Sequence, residues 1–419
     1  MAVSPDGARA FVTGSSGTVA YDAATGARLW LHADTPLEGS DSTEAPTVAV
    51  SPDGATVFVA RTSRGSWSGD DYATLAYNAA TGKQVWITRY NGPANKNDSA
   101  RSVVVSPNGA TVFVNGVSQG GAAWETEDYD YATLAYNAAT GAQLWVARHN
   151  GPGIVSLAAG VQSMVVSHDG TTIFVVAESP ASRPGFADYA TLAYDAATGA
   201  QRWLSRYNGP GNAGDYASAV AVSPSGDTVV VTGSSVGVAG AGIEYATVAY
   251  NAAAGKQLWA TRYNGPASQQ GGDEATAIGF NPTGKLVFVT GSSDGSTSGA
   301  DYATLAYNTA TGKQLWITRY NGPGNAEDIA LSLAVSPDGA KVFVTGNSAG
   351  STSGADYATL AYNTATGKQL WVGCYNGPGG RDDEAHSVAV SPNGATVFVT
   401  GNSAGSTSGV DYATVAYRS

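Results

Sequence analysis

Five aspartates recur at one place in a repeated sequence and could bind an ion. They are Asp98, Asp215, Asp273, Asp328 and Asp383, each just ahead of the predicted first strand of a repeat unit. If those strands are innermost, the carboxylates surround one mouth of a central channel, where several oxygen ligands would suit Ca²⁺. The structural alternative is that each carboxylate caps the backbone of the loop preceding its own strand.

A second group of candidates lies in the loops between the second and third strands of units two to four, which depart most from the repeat. Two tryptophans there stand outside the repeated tryptophan position and beside charged residues, so they could stack on a sugar or an aromatic ligand. The structural alternative is that these tryptophans simply cover the edges of their loops. The candidate ligand-binding residues are Arg61, Arg64, Trp67, Trp124, Glu125, Glu127, Tyr129, Glu178, Arg183 and Phe186.

Catalysis needs several chemically different reactive side chains close together, and the sequence contains few candidates for such a cluster. Of four histidines, His386 alone stands among carboxylates, after Asp382, Asp383 and Glu384. Such a histidine could do acid–base work. The units after residue 290 are nearly identical to each other, which argues against an asymmetric site, so no catalytic residue is assigned.

Three landmarks define the repeat that must position these residues. A Val-Ser-Pro-Asp-Gly turn and an Ala-Thr-Leu-Ala-Tyr strand each occur eight times with small variations, and a Thr-Gly-x-x-x-Trp segment occurs seven times. Successive tryptophans of that segment lie 55 to 59 residues apart. We assign a structural role to these tryptophans, which are Trp30, Trp86, Trp145, Trp203, Trp259, Trp316 and Trp371.

Each unit is predicted to contain four antiparallel strands, A to D. In unit seven, strand A is 332–335, strand B 341–346, strand C 357–362 and strand D 369–372. Four short strands at this period predict an all-β fold, a β-propeller of four-stranded blades; an open solenoid is the alternative. Eight blades are predicted, the last lacking strand D, with seven blades and a spare partial unit as the alternative. We predict a single domain, 1–419, with units of roughly 1–36, 37–93, 94–152, 153–210, 211–266, 267–323, 324–378 and 379–419.

Composition excludes several classes of function. The formal net charge is −12, which disfavours nucleic acid as a partner. No apolar run approaches the roughly 18 residues that span a bilayer, so no membrane insertion is expected. Cys374 is the sole cysteine, which excludes an internal disulfide and a cysteine-based zinc site. Met1 is directly followed by a repeat motif, and no signal peptide is recognised.

The turn into strand D resembles a motif of a known protein family. The segment from Ala76 to Trp86 resembles the tryptophan-docking motif of quinoprotein-type propellers, A-x-D-x-x-T-G-K-x-x-W. The resemblance implies eight blades, with each tryptophan packed flat between neighbouring blades. The whole repeat also resembles bacterial propeller repeat proteins, many of them secreted or on the cell surface, which implies an extracellular or cell-surface location. Quinoprotein dehydrogenases generally carry a vicinal cysteine pair that this chain cannot form, so the resemblance argues for the fold and against pyrroloquinoline quinone (PQQ).

Strand pairing predicts a repeated ion pair within each blade. An acidic residue precedes the first tyrosine of strand C, and an arginine lies in strand D of the same blade. The acidic residues are Asp71, Asp130, Asp188, Glu244, Asp301, Asp356 and Asp411, and the arginines are Arg89, Arg148, Arg206, Arg262 and Arg319. Cys374 replaces the arginine in unit seven.

These observations favour a non-catalytic binding or scaffold propeller whose variable B–C and D–A loops bind a glycan or a protein. The A–B and C–D turns are short and nearly invariant, whereas the B–C and D–A loops vary, and binding is expected where loops vary. The alternative is an enzyme, either a quinoprotein-like oxidoreductase or a polysaccharide lyase or hydrolase. No cofactor is expected, apart from the alternative of Ca²⁺.

Overall fold

The computed structural model describes residues 1–33, 46–64, 69–120, 129–149, 163–181, 186–238, 242–267, 271–295, 297–350, 354–405 and 409–419. Within these ranges the regular structure is entirely β-strand. Eight antiparallel sheets form the blades of a β-propeller, which confirms the predicted fold class and blade number. The chain divides into two compact units, Met1–Tyr207 and Asn208–Ser419.

The first unit contains blades 1 to 4. Their strands, in the order A to D, are β1 (Ala2–Val3), β2 (Arg9–Gly14), β3 (Gly17–Asp22) and β4 (Arg28–Ala33); β5 (Thr47–Val50), β6 (Thr56–Arg64), β7 (Asp70–Asn78) and β8 (Gln84–Tyr90); β9 (Asp98–Val105), β10 (Thr111–Gln119), β11 (Tyr129–Asn137) and β12 (Gln143–His149); β13 (Met164–Val166), β14 (Thr172–Pro180), β15 (Ala187–Asp195) and β16 (Gln201–Tyr207).

The second unit contains blades 5 to 8. Their strands are β17 (Asp215–Val222), β18 (Thr228–Val236), β19 (Ile243–Asn251) and β20 (Gln257–Tyr263); β21 (Asp273–Phe280), β22 (Leu286–Asp294), β23 (Ala300–Asn308) and β24 (Gln314–Tyr320); β25 (Asp328–Val335), β26 (Lys341–Ala349), β27 (Ala355–Asn363) and β28 (Gln369–Tyr375); β29 (Asp383–Val390), β30 (Thr396–Ala404) and β31 (Val410–Arg418). Blade 8 therefore has three strands among the described residues, as predicted.

Consecutive strands pair antiparallel in every blade, so the two kinds of connection lie at opposite ends. The A–B and C–D turns are at one end. The B–C and D–A loops are at the other, which we call the B–C end. The short turns are fixed by local hydrogen bonds: in blade 7 the Lys341 amide donates to Ser336 Oγ at 2.9 Å, and Gly339 adopts a φ of 71°. Glycine favours this left-handed conformation because it has no Cβ.

Aromatic side chains join blades within a unit. The indole Nε1 of Trp316 in blade 6 donates to the carbonyl oxygen of Thr364 in blade 7 at 2.9 Å. A Cβ added to Gly367 would lie 2.7 Å from the Trp316 ring, so the turn glycine packs directly on the indole. Trp30, Trp86, Trp145 and Trp259 donate in the same way to the following blade. Burial of an indole on this scale contributes on the order of several kcal/mol.

The first strand of a blade is longer than the sequence predicted. In blade 7, β25 starts at Asp328 rather than at residue 332, so the repeated aspartate begins the strand instead of preceding it. A β-bulge between Ala330 and Ser332 lets the added residues pair with β26. Bulges insert one residue without ending a ladder, and the predicted alternation of residue types did not reveal this one.

Candidate functional site

The repeated aspartates are bound to their own loops. Asp328 Oδ2 accepts a hydrogen bond of 2.6 Å from the Gly322 amide, at the start of the D–A loop. Asp98, Asp215, Asp273 and Asp383 accept the same bond from Gly92, Gly209, Gly265 and Gly377 at 2.6 to 2.7 Å. The loop-capping interpretation is therefore confirmed in five blades.

These carboxylates lie in a low-dielectric setting. All five are buried. Burial raises the pKa of Asp98, Asp215, Asp273 and Asp328, and hydrogen bonds from the loop amides oppose that shift. Among the described residues, no three His, Cys, Asp or Glu side chains stand close enough together to hold a metal ion. Ca²⁺ takes several oxygen ligands at one point, whereas each of these aspartates is held by a separate loop. Ca²⁺ binding by the aspartates stays a prediction.

The predicted cross-strand ion pair is confirmed in three blades. Arg319 Nη2 lies 2.9 Å from Asp301 Oδ2 in blade 6. The equivalent pairs are Arg148 with Asp130 and Arg262 with Glu244, each at 2.5 Å. All three pairs are largely shielded from solvent. They hold strands C and D together at the B–C end.

Cys374 occupies the arginine position in blade 7, opposite Ala358 of strand C. Burial raises the pKa of its thiol, and the nearby Tyr320 of blade 6 opposes that shift. Burial, followed by the nearby thiol, raises the pKa of Tyr320 to about 12. Tyr320 thus lies near a thiol, whereas Tyr90 and Tyr263 each accept a hydrogen bond from an arginine of the next blade.

A glycine near the middle of strand B allows strand A to run to the B–C end. A Cβ added to Gly346 would lie 1.9 Å from the backbone oxygen of Ile329, well inside any contact distance. The same clash, at 1.8 to 2.1 Å, would arise at Gly116, Gly233, Gly291 and Gly401. Blades 3 and 5 to 8 therefore require glycine, because strand A passes directly over it.

Blades 2 and 4 lack this arrangement. Arg61 and Ala177 occupy the glycine position, opposite Ala73 and Ala190 of strand C. Their described first strands are short, β5 with four residues and β13 with three. The residues that precede these two strands, 34–45 and 150–162, lie outside the described residues. Sequence reasoning did not connect these features, although the loss of Thr-Gly or Asn-Gly from strand B was a readable signal.

Glu178 follows Ala177 and is the most unusual acid in the described chain. Its side chain is buried, and neither carboxylate oxygen has a hydrogen-bond partner among the described residues. Burial raises the pKa of Glu178 to about 8. Its backbone amide donates to Tyr131 Oη of blade 3 at 3.0 Å. Val117 holds the same position in blade 3, so blade 4 has an acid where its neighbour has an apolar residue.

The other candidate ligand-binding residues divide into two groups. Arg64 is exposed at the end of β6, opposite Asp70, and Phe186 is half-buried just before β15. With Arg61 and Glu178, they lie at the B–C ends of blades 2 and 4. Tyr129 begins β11. The remaining candidates, Trp67, Trp124, Glu125, Glu127 and Arg183, lie outside the described residues.

Among the carboxylates that the sequence places beside His386, Glu384 is the one found near its ring. Its Nε2 lies 3.7 Å from Glu384 Oε2 and 3.2 Å from Asn402 Nδ2. Asp383 is bound to the Gly377 and Ala404 amides instead. Burial lowers the pKa of His386, with Glu384 opposing the shift.

A family profile matches almost the entire chain, over residues 15–167, 128–244 and 245–415. The chain belongs to the PQQ_2 family, described as outer membrane protein assembly factor BamB. This assignment agrees with the resemblance to quinoprotein-type propellers. No curated protein matches the chain. The described part of the chain contains no helix with the length and hydrophobicity that a bilayer crossing needs.

Several solved structures share the fold of this chain. BamB from Moraxella catarrhalis is 14% identical, with a TM-score of 0.54 over 99% of this chain and 95% of that one. Quinohemoprotein alcohol dehydrogenase from Comamonas testosteroni is 16% identical, with a TM-score of 0.61 over 98% of this chain and 72% of that one. Hydrazine synthase from Kuenenia stuttgartiensis is 14% identical, with a TM-score of 0.55 over 89% and 94%. At such identities the likeness establishes the fold alone.

Proposed function

We propose that this protein is a non-catalytic scaffold of the bacterial cell envelope that binds a protein ligand at the B–C ends of blades 2 to 4. The observation that carries the proposal is the replacement of the strand B glycine in blades 2 and 4. Five other blades keep the aspartate, the glycine and the long first strand together. Blades 2 and 4 have Arg61 and Ala177 in place of the glycine, and in blade 4 the buried Glu178 follows it.

The residue types at this end favour a protein partner. Tryptophan and arginine are the side chains most often found at the energetic centres of protein interfaces. The B–C loops of blades 2 to 4 contain Trp67, Trp124 and Arg183, and Arg64 lies exposed at the end of β6. The B–C loops of blades 6 to 8 instead repeat Ser, Thr and Gly. The variable loops thus concentrate the side chains suited to recognition on three neighbouring blades.

The family description supports the same class of function. An outer membrane protein assembly factor acts on other proteins, and it does so at the cell envelope. We extend both properties to this chain as part of the proposal. A quinoprotein-like dehydrogenase is the less favoured alternative, because the chain has a single cysteine and its repeated acids are engaged by their loops.

Site-specific photocrosslinking tests the proposal. A photoreactive residue at Arg64 should capture one defined protein from the envelope of the producing bacterium. The same residue at Ala349, the equivalent position of blade 7, should not. The adduct should disappear when Trp67→Ala and Trp124→Ala are combined. Equal capture at both positions would reject the site.

Two further assays separate the other classes of function. If glycan-array binding depends on the same two tryptophans and no protein adduct forms, the ligand is a glycan and not a protein. Turnover of alcohols in the presence of added PQQ and Ca²⁺, or of any polysaccharide in a panel, would show that the protein is an enzyme and not a scaffold. Crosslinking without turnover would support the proposal.

A further inference from the structure

One side chain sets blade 3 apart from blades 2 and 4 to 7. At the end of strand D those blades have a tyrosine, whereas blade 3 has His149. Tyr90 of blade 2 accepts a hydrogen bond from Arg148 of blade 3 at 2.6 Å, and Tyr263 of blade 5 accepts one from Arg319 of blade 6 at 2.9 Å. In both places a neutral hydroxyl joins one blade to an arginine of the next.

The equivalent bond is missing where His149 replaces the tyrosine. Its imidazole Nε2 is buried and has no hydrogen-bond partner among the described residues. Arg206 is the blade 4 counterpart of Arg148, yet it is exposed and forms no hydrogen bond or ion pair with another described residue. Ser179 Oγ, the counterpart of the Ser118 hydroxyl that Arg148 binds, is also buried without a partner in the described part of the chain. Because buried polar atoms without partners cost stability, the contact between blades 3 and 4 is weak at this point.

The charges around His149 disfavour its protonated form. Burial lowers the pKa of His149, Arg206 of β16 lowers it further, and Asp130 of β11 opposes the shift. Tyr131 lies opposite His149 in the ladder, and Arg148, which precedes His149 in β12, is paired with Asp130. A protonated imidazole at this place would be partly desolvated and would lie near a guanidinium of like charge.

We propose that His149 is a pH-sensitive switch at the junction of blades 3 and 4. With a neutral imidazole the junction is closed, and Tyr131 Oη accepts a hydrogen bond from the Glu178 amide of blade 4 at 3.0 Å. Protonation in the mildly acidic range places a second positive charge near Arg206 and opens the B–C end of this junction locally. Stability from the neutral ring is complete above the ordinary pKa of 6.5 and is lost as pH falls through the lowered pKa. The switch needs no bound ligand and is separate from the proposed function.

Hydrogen exchange of backbone amides, followed by mass spectrometry, tests this proposal. In the full chain, exchange at the B–C ends of β12 and β16, corrected for its intrinsic dependence on pH, should rise several-fold between pH 7 and pH 5. His149→Tyr restores the hydroxyl that binds arginine in blade 2, so its exchange should stay constant over that range. Tyr90→His places an imidazole beside Arg148 and should make the junction of blades 2 and 3 sensitive to pH in the same way.

Three controls accompany the measurement. Circular dichroism verifies that each variant is folded at pH 7, and His149→Gln, which cannot be protonated, should give the same constant exchange if the tyrosine is not accommodated. Because Glu178 titrates in the opposite sense, the comparison is repeated in chains that also contain Glu178→Gln. The same rise in exchange with and without His149 would overturn the proposal. It would also be overturned by exchange that rises equally over the whole chain, or by a Tyr90→His chain whose exchange does not depend on pH.

Discussion

Arg319 of blade 6 donates through Nη1 to the phenolic oxygen of Tyr263 in blade 5, at 2.9 Å. The same guanidinium binds Asp301 of its own blade, so one side chain joins strand C, strand D and the neighbouring sheet. Arg148 repeats the relationship with Tyr90 at 2.6 Å in the first unit. The planar fork of arginine makes this possible, because its five N–H donors point in fixed directions.

Arg319→Lys should lower the free energy of unfolding by about 1–3 kcal/mol, because lysine keeps the charge but cannot serve both blades. Tyr263→Phe removes only the bond between blades and should cost about 1 kcal/mol. Thermal or urea unfolding of the two single variants and the double variant gives the coupling free energy between Arg319 and Tyr263. Strictly additive losses would mean that the two residues act separately.

Cys374→Arg should stabilise the protein by about 0.5–1 kcal/mol, since it restores an arginine beside Tyr320 and Asp356 in a partly shielded place. Cys374→Ser serves as the control for removal of the thiol alone. The thermal midpoint of both variants is the measurement. A loss of stability in Cys374→Arg relative to Cys374→Ser would show that blade 7 cannot admit the guanidinium.

Gly346→Ala should destabilise the protein by about 2–3 kcal/mol, because the new methyl group would overlap the Ile329 carbonyl and displace strand A. Ala177→Gly, at the equivalent position of blade 4, should cost about 0.5–1 kcal/mol through backbone entropy. Unfolding midpoints of the two variants provide the comparison. Equal losses at the two sites would contradict the proposed difference between these blades.

Trp316→Phe should cost about 1 kcal/mol more than Trp371→Phe. Each tryptophan packs against a phenylalanine of its own blade, with ring centroids 5.8 and 5.9 Å apart. Trp316 donates its indole proton to the next blade, whereas Nε1 of Trp371 has no acceptor among the described residues, and a net hydrogen bond contributes about 1 kcal/mol. Denaturant unfolding distinguishes the variants. A larger loss at Trp371 would contradict the assignment of its Nε1 as unpartnered.

Glu178 should make stability depend on pH. Its pKa of about 8 in the fold exceeds the ordinary value of 4.5, so the folded state binds more protons than the unfolded state between those values. Stability from the neutral carboxyl is complete below about pH 4.5 and is lost as pH rises toward 8. This loss is on the order of 5 kcal/mol. Glu178→Gln should flatten the fall in thermal midpoint between pH 5 and pH 8, and an unchanged slope would reject the raised pKa.

Much of the fold could be predicted because its determinants are local and repeated. Turn residues such as Ser336 and Gly339 act through neighbours within five positions, and β-branched strands alternate with those turns. Eight repetitions of one pattern therefore indicated eight sheets, and the spacing of Asp301 and Arg319 indicated their ion pair. Periodicity of this kind is readable without tertiary structure.

Tertiary structure alone decided what depends on the distance between strands. The hydrogen bond from the Gly322 amide to Asp328 depends on where the fold places that amide, and the bulge in β25 was visible only in the strand pairing. The requirement for Gly346, and the meaning of Arg61 at the same place, appear only when strand A is known to pass within contact distance of strand B. Sequence specifies residue types and order, whereas steric exclusion and desolvation depend on which atoms the fold brings together.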